Sequence, residues 1–203
     1  MIKNEIIVEI KNKYNNSKER IINSFENVKR ENPYSDWNNN ENKNNEDEIK
    51  ECEIYINDKK IDFTYYYTFK NKGIYTIKYK FKKLLNSSNY MFYGCKSLSS
   101  LDLSNFNIKN VTDMEYMFCG CNSLLSLDLC NFNTQNVTNM NNMFSHCNSL
   151  LSLDLSNFNT QNVTNMSHMF NDCNSLLSLN LSNFNTQNVT NMNNMFSDCH
   201  SLS

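Results

Sequence analysis

Alanine is absent, and the 203 residues include only three glycines, one proline and one tryptophan. With so few glycines there is no glycine-rich loop to cradle a phosphate. Nowhere do about 18 apolar residues run together, which excludes a membrane-spanning helix on sequence grounds. The first residues, MIKNEIIVEIKNK, interleave charge with apolar side chains and lack the continuous apolar core of an export signal. The expected location is therefore cytoplasmic, with the cell surface or secretion as the alternative if the N-terminus is incomplete. Eight cysteines in a chain without an export signal read as reduced thiols, not as a disulfide framework.

Charge is unevenly spread. The net −2 divides into 17 basic and 14 acidic side chains in residues 1–90, and 2 basic and 7 acidic in residues 91–203. The second part is therefore −5 (2 − 7), which excludes a nucleic-acid footprint there. The three histidines, His146, His168 and His200, fall at different repeat positions and do not converge. No nucleophile has a base beside it, and no carboxylates pair at a helix-fixed spacing. The expectation is a non-enzyme without a cofactor or a metal.

What the chain has in abundance is repetition. Met91, Met117, Met143, Met169 and Met195 each precede Phe, and each Phe is followed three residues later by Cys, a period of 26 without insertion. Such a period marks stacked units, because one unit cannot bury its own apolar face. Within one unit Val137, Met140, Phe144, Cys147 and Leu150 step by three or four, which predicts a short helix behind a Thr138 cap. Thr112 and Glu115 form a capping box in the first copy. Leu153 and Leu155 then alternate with Ser152, Asp154 and Ser156, which predicts a strand with one buried face. Four full units and a partial fifth fill residues 91–203.

Residues 1–90 are aperiodic. NEIIVEI at 4–10 reads as a strand. SKERIINSFENVK reads either as a helix behind Ser17 or as a hairpin back onto 4–10, with the hairpin preferred. Residues 31–50 have little to bury and read as a loop. CEIYINDKKIDF reads as a β-hairpin turning at Asn57 and Asp58, and GIYTIKYKFKK as a strand with a Lys-lined wet face. Together they form a small β-rich module expected to cover the first unit, joined to it by Leu84, Leu85 and Met91.

The units resemble the BspA-like, Treponema-type leucine-rich repeats, and especially the 26-residue surface-protein and Mycoplasma lipoprotein repeats written MFxxCxSLxxLDLSxFNTxNVTNM. The resemblance covers residues 91–203. It implies an α/β solenoid of leucine-rich-repeat type, with one short strand and one short helix per coil and a parallel sheet. It also implies a family of surface, adhesive or interaction-dedicated proteins.

The expected function is a protein–protein interaction scaffold, with a fragment of a cell-surface adhesin as the alternative. Its candidate contact face is one column of the sheet: Ser100, Asp102, Ser126, Asp128, Ser152, Asp154, Ser178 and Asn180. Adjacent carboxylates there would repel by about 1–3 kcal/mol at a strand spacing of ~4.8 Å, which a basic partner would relieve. Cys95, Cys121, Cys147, Cys173 and Cys199 read as a buried structural ladder, since thiols strung along an axis do not converge on a metal. Cys119 is expected to point away from that ladder and Cys130 to lie on the outer face. Asn110, Asn136, Asn162 and Asn188 are N-x-T acceptors or turn residues. The fourth strand would keep an unpaired edge, open to end-to-end association of chains.

Overall fold

The computed structural model describes residues 4–33 and 45–202. β1 (Glu5–Asn12) sends Ile6, Val8 and Ile10 into the core and turns Glu9 and Lys11 outward. β2 (Ser17–Arg20) precedes α1 (Phe25–Glu31), whose first turn is capped by Ser24 Oγ accepting from the Asn27 N–H at 3.2 Å. After α2 (Glu46–Lys50) come β3 (Glu53–Ile56), β4 (Lys59–Ile61), β5 (Tyr66–Phe69) and β6 (Gly73–Lys80). Asn57 and Asp58 both have positive φ, 46° and 63°, the two-residue turn that matches strand twist in a hairpin.

Part of the expected loop at 31–50 lies outside the described residues, and its end is α2. The expected hairpin of residues 17–29 onto residues 4–10 does not form, nor a helix behind Ser17. β2 pairs antiparallel with β5, and the helix starts eight residues later, at Phe25. β1 instead pairs with β6 over eight residues. On its other side β1 takes β7 (Leu98–Asp102), a strand of the first repeat, with Val8 opposite Leu101. The resulting five-stranded antiparallel sheet, in the order β4-β3-β6-β1-β7, joins the two parts of the chain in one sheet and one core.

The expected α/β solenoid of leucine-rich-repeat type is overturned. Among the described residues the helices are α1 and α2, both before the repeats, and the largest sheet is antiparallel. Parallel pairing is confined to β8 (Ser152–Asp154) with β9 (Ser178–Asn180) and to single-residue bridges 26 residues apart, such as Asp113 with Asn139. The physical reason lies in the backbone. Tyr116, Gly120, Asn142 and His146 have φ of 56°, 75°, 55° and 59°, so each unit carries two left-handed residues four apart and no helix propagates. The apolar spacing of three or four is produced by consecutive turns instead. Met117, Cys119 and Cys121 donate three residues back, while Met114, Tyr116, Phe118 and Gly120 donate to Asn139, Asn141, Met143 and Ser145 in the next copy, each at 2.9 Å. Thr138, expected to cap a helix, passes its N–H to the Thr112 carbonyl at 2.8 Å, and Thr112 donates to Asn86.

The leading face of the first copy meets the N-terminal part through polar groups that replace a preceding copy. Asn45 Nδ2 donates to the Asn89 carbonyl (2.8 Å), the Asn23 N–H to Met91 (2.7 Å) and Asn23 Nδ2 to Tyr93 (3.2 Å). Tyr79 lays its ring edge on Phe92, with centroids 5.9 Å apart, and donates its hydroxyl to Ile21 O at 2.6 Å. Phe92, Phe118, Phe144, Phe170 and Phe196 then stack at 5.6–6.0 Å.

α2 is tied to α1 by one carboxylate. Glu46 accepts from Arg30 Nη1 (3.0 Å) and the Tyr65 hydroxyl (2.7 Å) and pairs with Lys50 (3.0 Å); above all the Arg30 hydrogen bond lowers its pKa from 4.5 to about 2. A depressed carboxylate stabilises the fold fully above its unfolded value and loses that contribution as pH falls through the folded one. Unfolding midpoints measured from pH 5 to pH 2 should therefore fall more steeply in the wild type than in Glu46→Gln, with the difference confined to the window below about 4.5.

Candidate functional site

The expected column does not form one continuous sheet face. Ser100 and Asp102 belong to β7, where Ser100 Oγ donates to Glu9 Oε2 across the antiparallel pair at 3.2 Å. Ser126 and Asp128 lie in no strand, and a cavity of about 30 Å³ opens between Asp102 and Asp128, room for one water-sized group. Only Ser152 with Ser178 and Asp154 with Asn180 face each other in a parallel ladder. The first copy departs because β1 recruits its strand into the antiparallel sheet.

The column's carboxylates also have a local task. Oδ1 of Asp102, Asp128, Asp154 and Asn180 each accepts the N–H two residues on, from Ser104, Cys130, Ser156 and Ser182, at 2.9–3.1 Å. These Asx turns end the extended stretch and aim the chain toward the following Phe. The Ser104 side chain and then its N–H hold Asp102 below the usual carboxylate range. The backbone N–H groups of Cys130 and Ser156 do the same for Asp128 and Asp154. All three carboxylates are therefore ionised at neutral pH.

Beside this column runs a row of leucines that the sequence reading did not single out. Leu125, Leu151 and Leu177 are 53%, 46% and 57% exposed, and are tied copy to copy by Leu151 N–H to Leu125 O (3.1 Å) and Leu177 N–H to Leu151 O (2.9 Å). The available signal was the doublet in NSLLSL. Leu124, Leu150 and Leu176 are buried, so the second leucine of each pair, one residue before the exposed Ser, emerges. Three large apolar side chains at one position of successive copies form a patch rather than a scatter, and rimmed apolar patches mark interaction sites.

The cysteine ladder is buried from Cys95 to Cys173 and half-buried at Cys199. Sγ of Cys121, Cys147, Cys173 and Cys199 donates to the carbonyls of Phe92, Phe118, Phe144 and Phe170 at 3.3, 3.2, 3.1 and 2.9 Å, and burial raises each thiol pKa. Cys119, expected to point outward, is buried too, and burial lifts its pKa to about 12. Cys130 is exposed, and the Asp128 side chain raises its pKa. Among the described residues no cluster of His, Cys, Asp and Glu suits a metal ion. His146 Nδ1 lies 2.9 Å from Asp172 Oδ2, and the three histidines stay apart in the repeat. Asn136, Asn162 and Asn188 donate Nδ2 to carbonyls of the preceding copy at 2.7 Å.

A second concavity, of about 470 Å³, sits where the N-terminal part meets the first copies, with Arg20, Tyr93, Cys119 and His146 around it. Its floor is Gly94 and Gly120, at the repeat position that holds His146, Asp172 and Asp198 in later copies. Two of the chain's three glycines thus empty one position of two successive copies, and an added Cβ at Gly120 would lie 3.6 Å from Gly94 Cα.

Comparison with known protein families gives a match over the repeats. The family described as "Mycoplasma protein of unknown function, DUF285" matches residues 74–203, from β6 through all the repeats and more than half of the chain. No curated protein and no solved structure matches. No helix among the described residues is long and apolar enough to cross a membrane.

Proposed function

Since the chain belongs to the family described as "Mycoplasma protein of unknown function, DUF285", we propose that it is a non-enzymatic interaction protein that offers its repeat surface to a protein partner. The observation that carries this reading is the Leu125–Leu151–Leu177 row beside the ionised Asp128 and Asp154. An apolar strip desolvates on contact and supplies affinity, while the carboxylates along its edge favour a partner with basic side chains around its own apolar centre. The copies repeat the same chemistry at a fixed step, so a partner gains area with each copy it spans. For location, the Mycoplasma description of the family supports a surface role over the cytoplasmic one read from the N-terminus.

The test is a comparison of retained partners. Wild-type protein, a Leu125→Asp/Leu151→Asp variant and an Asp128→Lys/Asp154→Lys variant would be immobilised in equal folded amounts and exposed to extract from the organism's own cells. A partner held by this surface is kept by the wild type and lost, by at least about tenfold in affinity or some 1.4 kcal/mol, from the leucine variant, with a smaller, salt-dependent loss from the charge variant. Identical retention by all three would sink the reading.

A further inference from the structure

The concavity where the N-terminal part meets the first copies is opened by two glycines that the fold itself does not demand. Gly94, Gly120, His146, Asp172 and Asp198 occupy one position of successive copies, and all are left-handed, with φ of 70°, 75°, 59°, 61° and 60°. Later copies therefore hold the same backbone with a full side chain. Crowding does not require glycine either. An added Cβ at Gly94 would stand 3.5 Å from Arg20 Nε, and one at Gly120 3.6 Å from Gly94 Cα, both ordinary contact distances. What the two glycines provide is room, about 470 Å³, a volume typical of small-molecule sites.

Charge in this concavity departs from the rest of the repeats. Arg20 and Lys96 line it together with one carboxylate, Glu31, and Lys96 is one of only two basic residues in 91–203. Arg20 Nη2 donates to Glu31 Oε2 at 2.6 Å and to the hydroxyl of Tyr66, whose ring centroid lies 4.6 Å from the guanidinium carbon. That ion pair is balanced. Arg20 Nη1, however, is buried without an acceptor, and Lys96 is exposed with no carboxylate partner among the described residues. A buried donor on a charged group is costly to leave unpaired, and an oxyanion is the acceptor that suits it. Beside these cations stands Tyr93, half-buried, its ring held edge-on to Tyr90 at 5.5 Å and to Tyr116 at 6.0 Å. It gives the concavity one fixed aromatic wall.

We propose that this concavity binds a small organic oxyanion: a phosphate or carboxylate group held by Arg20 and Lys96, on a flat apolar body that packs against Tyr93. The oxyanion supplies the acceptor that Arg20 Nη1 lacks and balances the charge of Lys96, while the glycines let the body approach the backbone of the first two copies. None of these residues belongs to the leucine row or to the Ser/Asp column, so the site is separate from the proposed partner surface.

The probes are phenyl phosphate, benzoate, inorganic phosphate and benzyl alcohol, each titrated into the full chain by calorimetry. One saturable site per chain is expected for phenyl phosphate or benzoate, the tighter of the two naming the oxyanion, with inorganic phosphate and benzyl alcohol at least about tenfold weaker. Lys96→Gln, a change at an exposed side chain, should weaken binding by about threefold to fivefold, and by less at high salt. Gly120→His, which installs the residue that the next copy carries at this position, should fill the concavity and weaken binding by about tenfold or more. A thermal melt of each variant reports an intact fold, and Lys96→Gln decides alone where Gly120→His melts below the assay temperature. Absence of saturable binding by both ring-bearing anions would overturn the proposal. So would equal affinity for inorganic phosphate or benzyl alcohol, or affinity unchanged in the folded variants.

Discussion

Phe144→Ala should lower the unfolding free energy by about 3–5 kcal/mol, the range for emptying a fully buried aromatic site. The ring is fully buried, stacked on Phe118 at 5.6 Å and on Phe170 at 5.7 Å with planes 13° and 3° apart. Its neighbours are fixed by inter-copy bonds on both sides, Phe118 N–H to Met143 O and Phe144 N–H to Met169 O, so the copies cannot slide together to fill the space. For a chain of this size each kcal/mol moves the melting midpoint by roughly 2–4 °C, so a drop of about 10 °C is expected. Phe196→Ala is the internal comparison: with one stacking neighbour and 40% exposure it should cost roughly a third as much. Urea unfolding of both variants checks the ratio; equal losses would mean that the stack is not the stabilising element.

Asn23→Ala should be nearly as damaging although it removes few atoms. The side chain is fully buried; its Oδ1 accepts from the Ser24 N–H (3.0 Å) and Asn27 Nδ2 (2.9 Å), and its Nδ2 donates to the Tyr93 carbonyl (3.2 Å). Truncation leaves the Ser24 N–H and the Tyr93 carbonyl without that partner, while Asn27 Nδ2 keeps its bond to Glu31 Oε1 (3.0 Å); at about 1–3 kcal/mol for each of the two groups, a loss near 3 kcal/mol is expected. Asn23→Asp keeps both acceptor bonds and loses the donor, which sets a carboxylate against a carbonyl. Its loss should grow as pH rises through the carboxylate's pKa, whereas the alanine variant shows no such dependence. Thermal unfolding from pH 3 to pH 7 separates the two.

The period of 26, the apolar face of the units and the cysteine ladder, buried at Cys95, Cys121, Cys147 and Cys173 and half-buried at Cys199, were legible because the same residue types recur at the same position of each copy. The hairpin at Asn57–Asp58 and the wet-faced strand β6 were legible from local turn chemistry and alternation. The helix expected at Val137–Leu150 was not there to be read: apolar spacing of three or four is shared by helices and by runs of turns. What separates them is the pair of left-handed residues, four apart, in each unit. Asn142, His146, Asp172 and Asn194 tolerate that conformation and hint at it, but Tyr116 gives no such hint. The pairing of β7 with β1 was hidden because it joins residues more than 90 apart, and no repeat pattern reports on a partner outside the repeat. The expected Ser/Asp column was found as residues but not as a continuous surface, and its leucine border was missed because a doublet looks like one buried site.

Since every unit hands the next the same set of donors and takes from the last the same set of acceptors, units are interchangeable parts. Deleting residues 117–142 or duplicating them would leave Asn23, Asn45 and Tyr79 touching the same first copy. A gene encoding such a chain can gain or lose 78 nucleotides at a time (26 codons of three) and keep both its reading frame and its repeat register. Each such event lengthens or shortens the leucine row by one side chain, so reach along a partner becomes a trait inherited in whole steps.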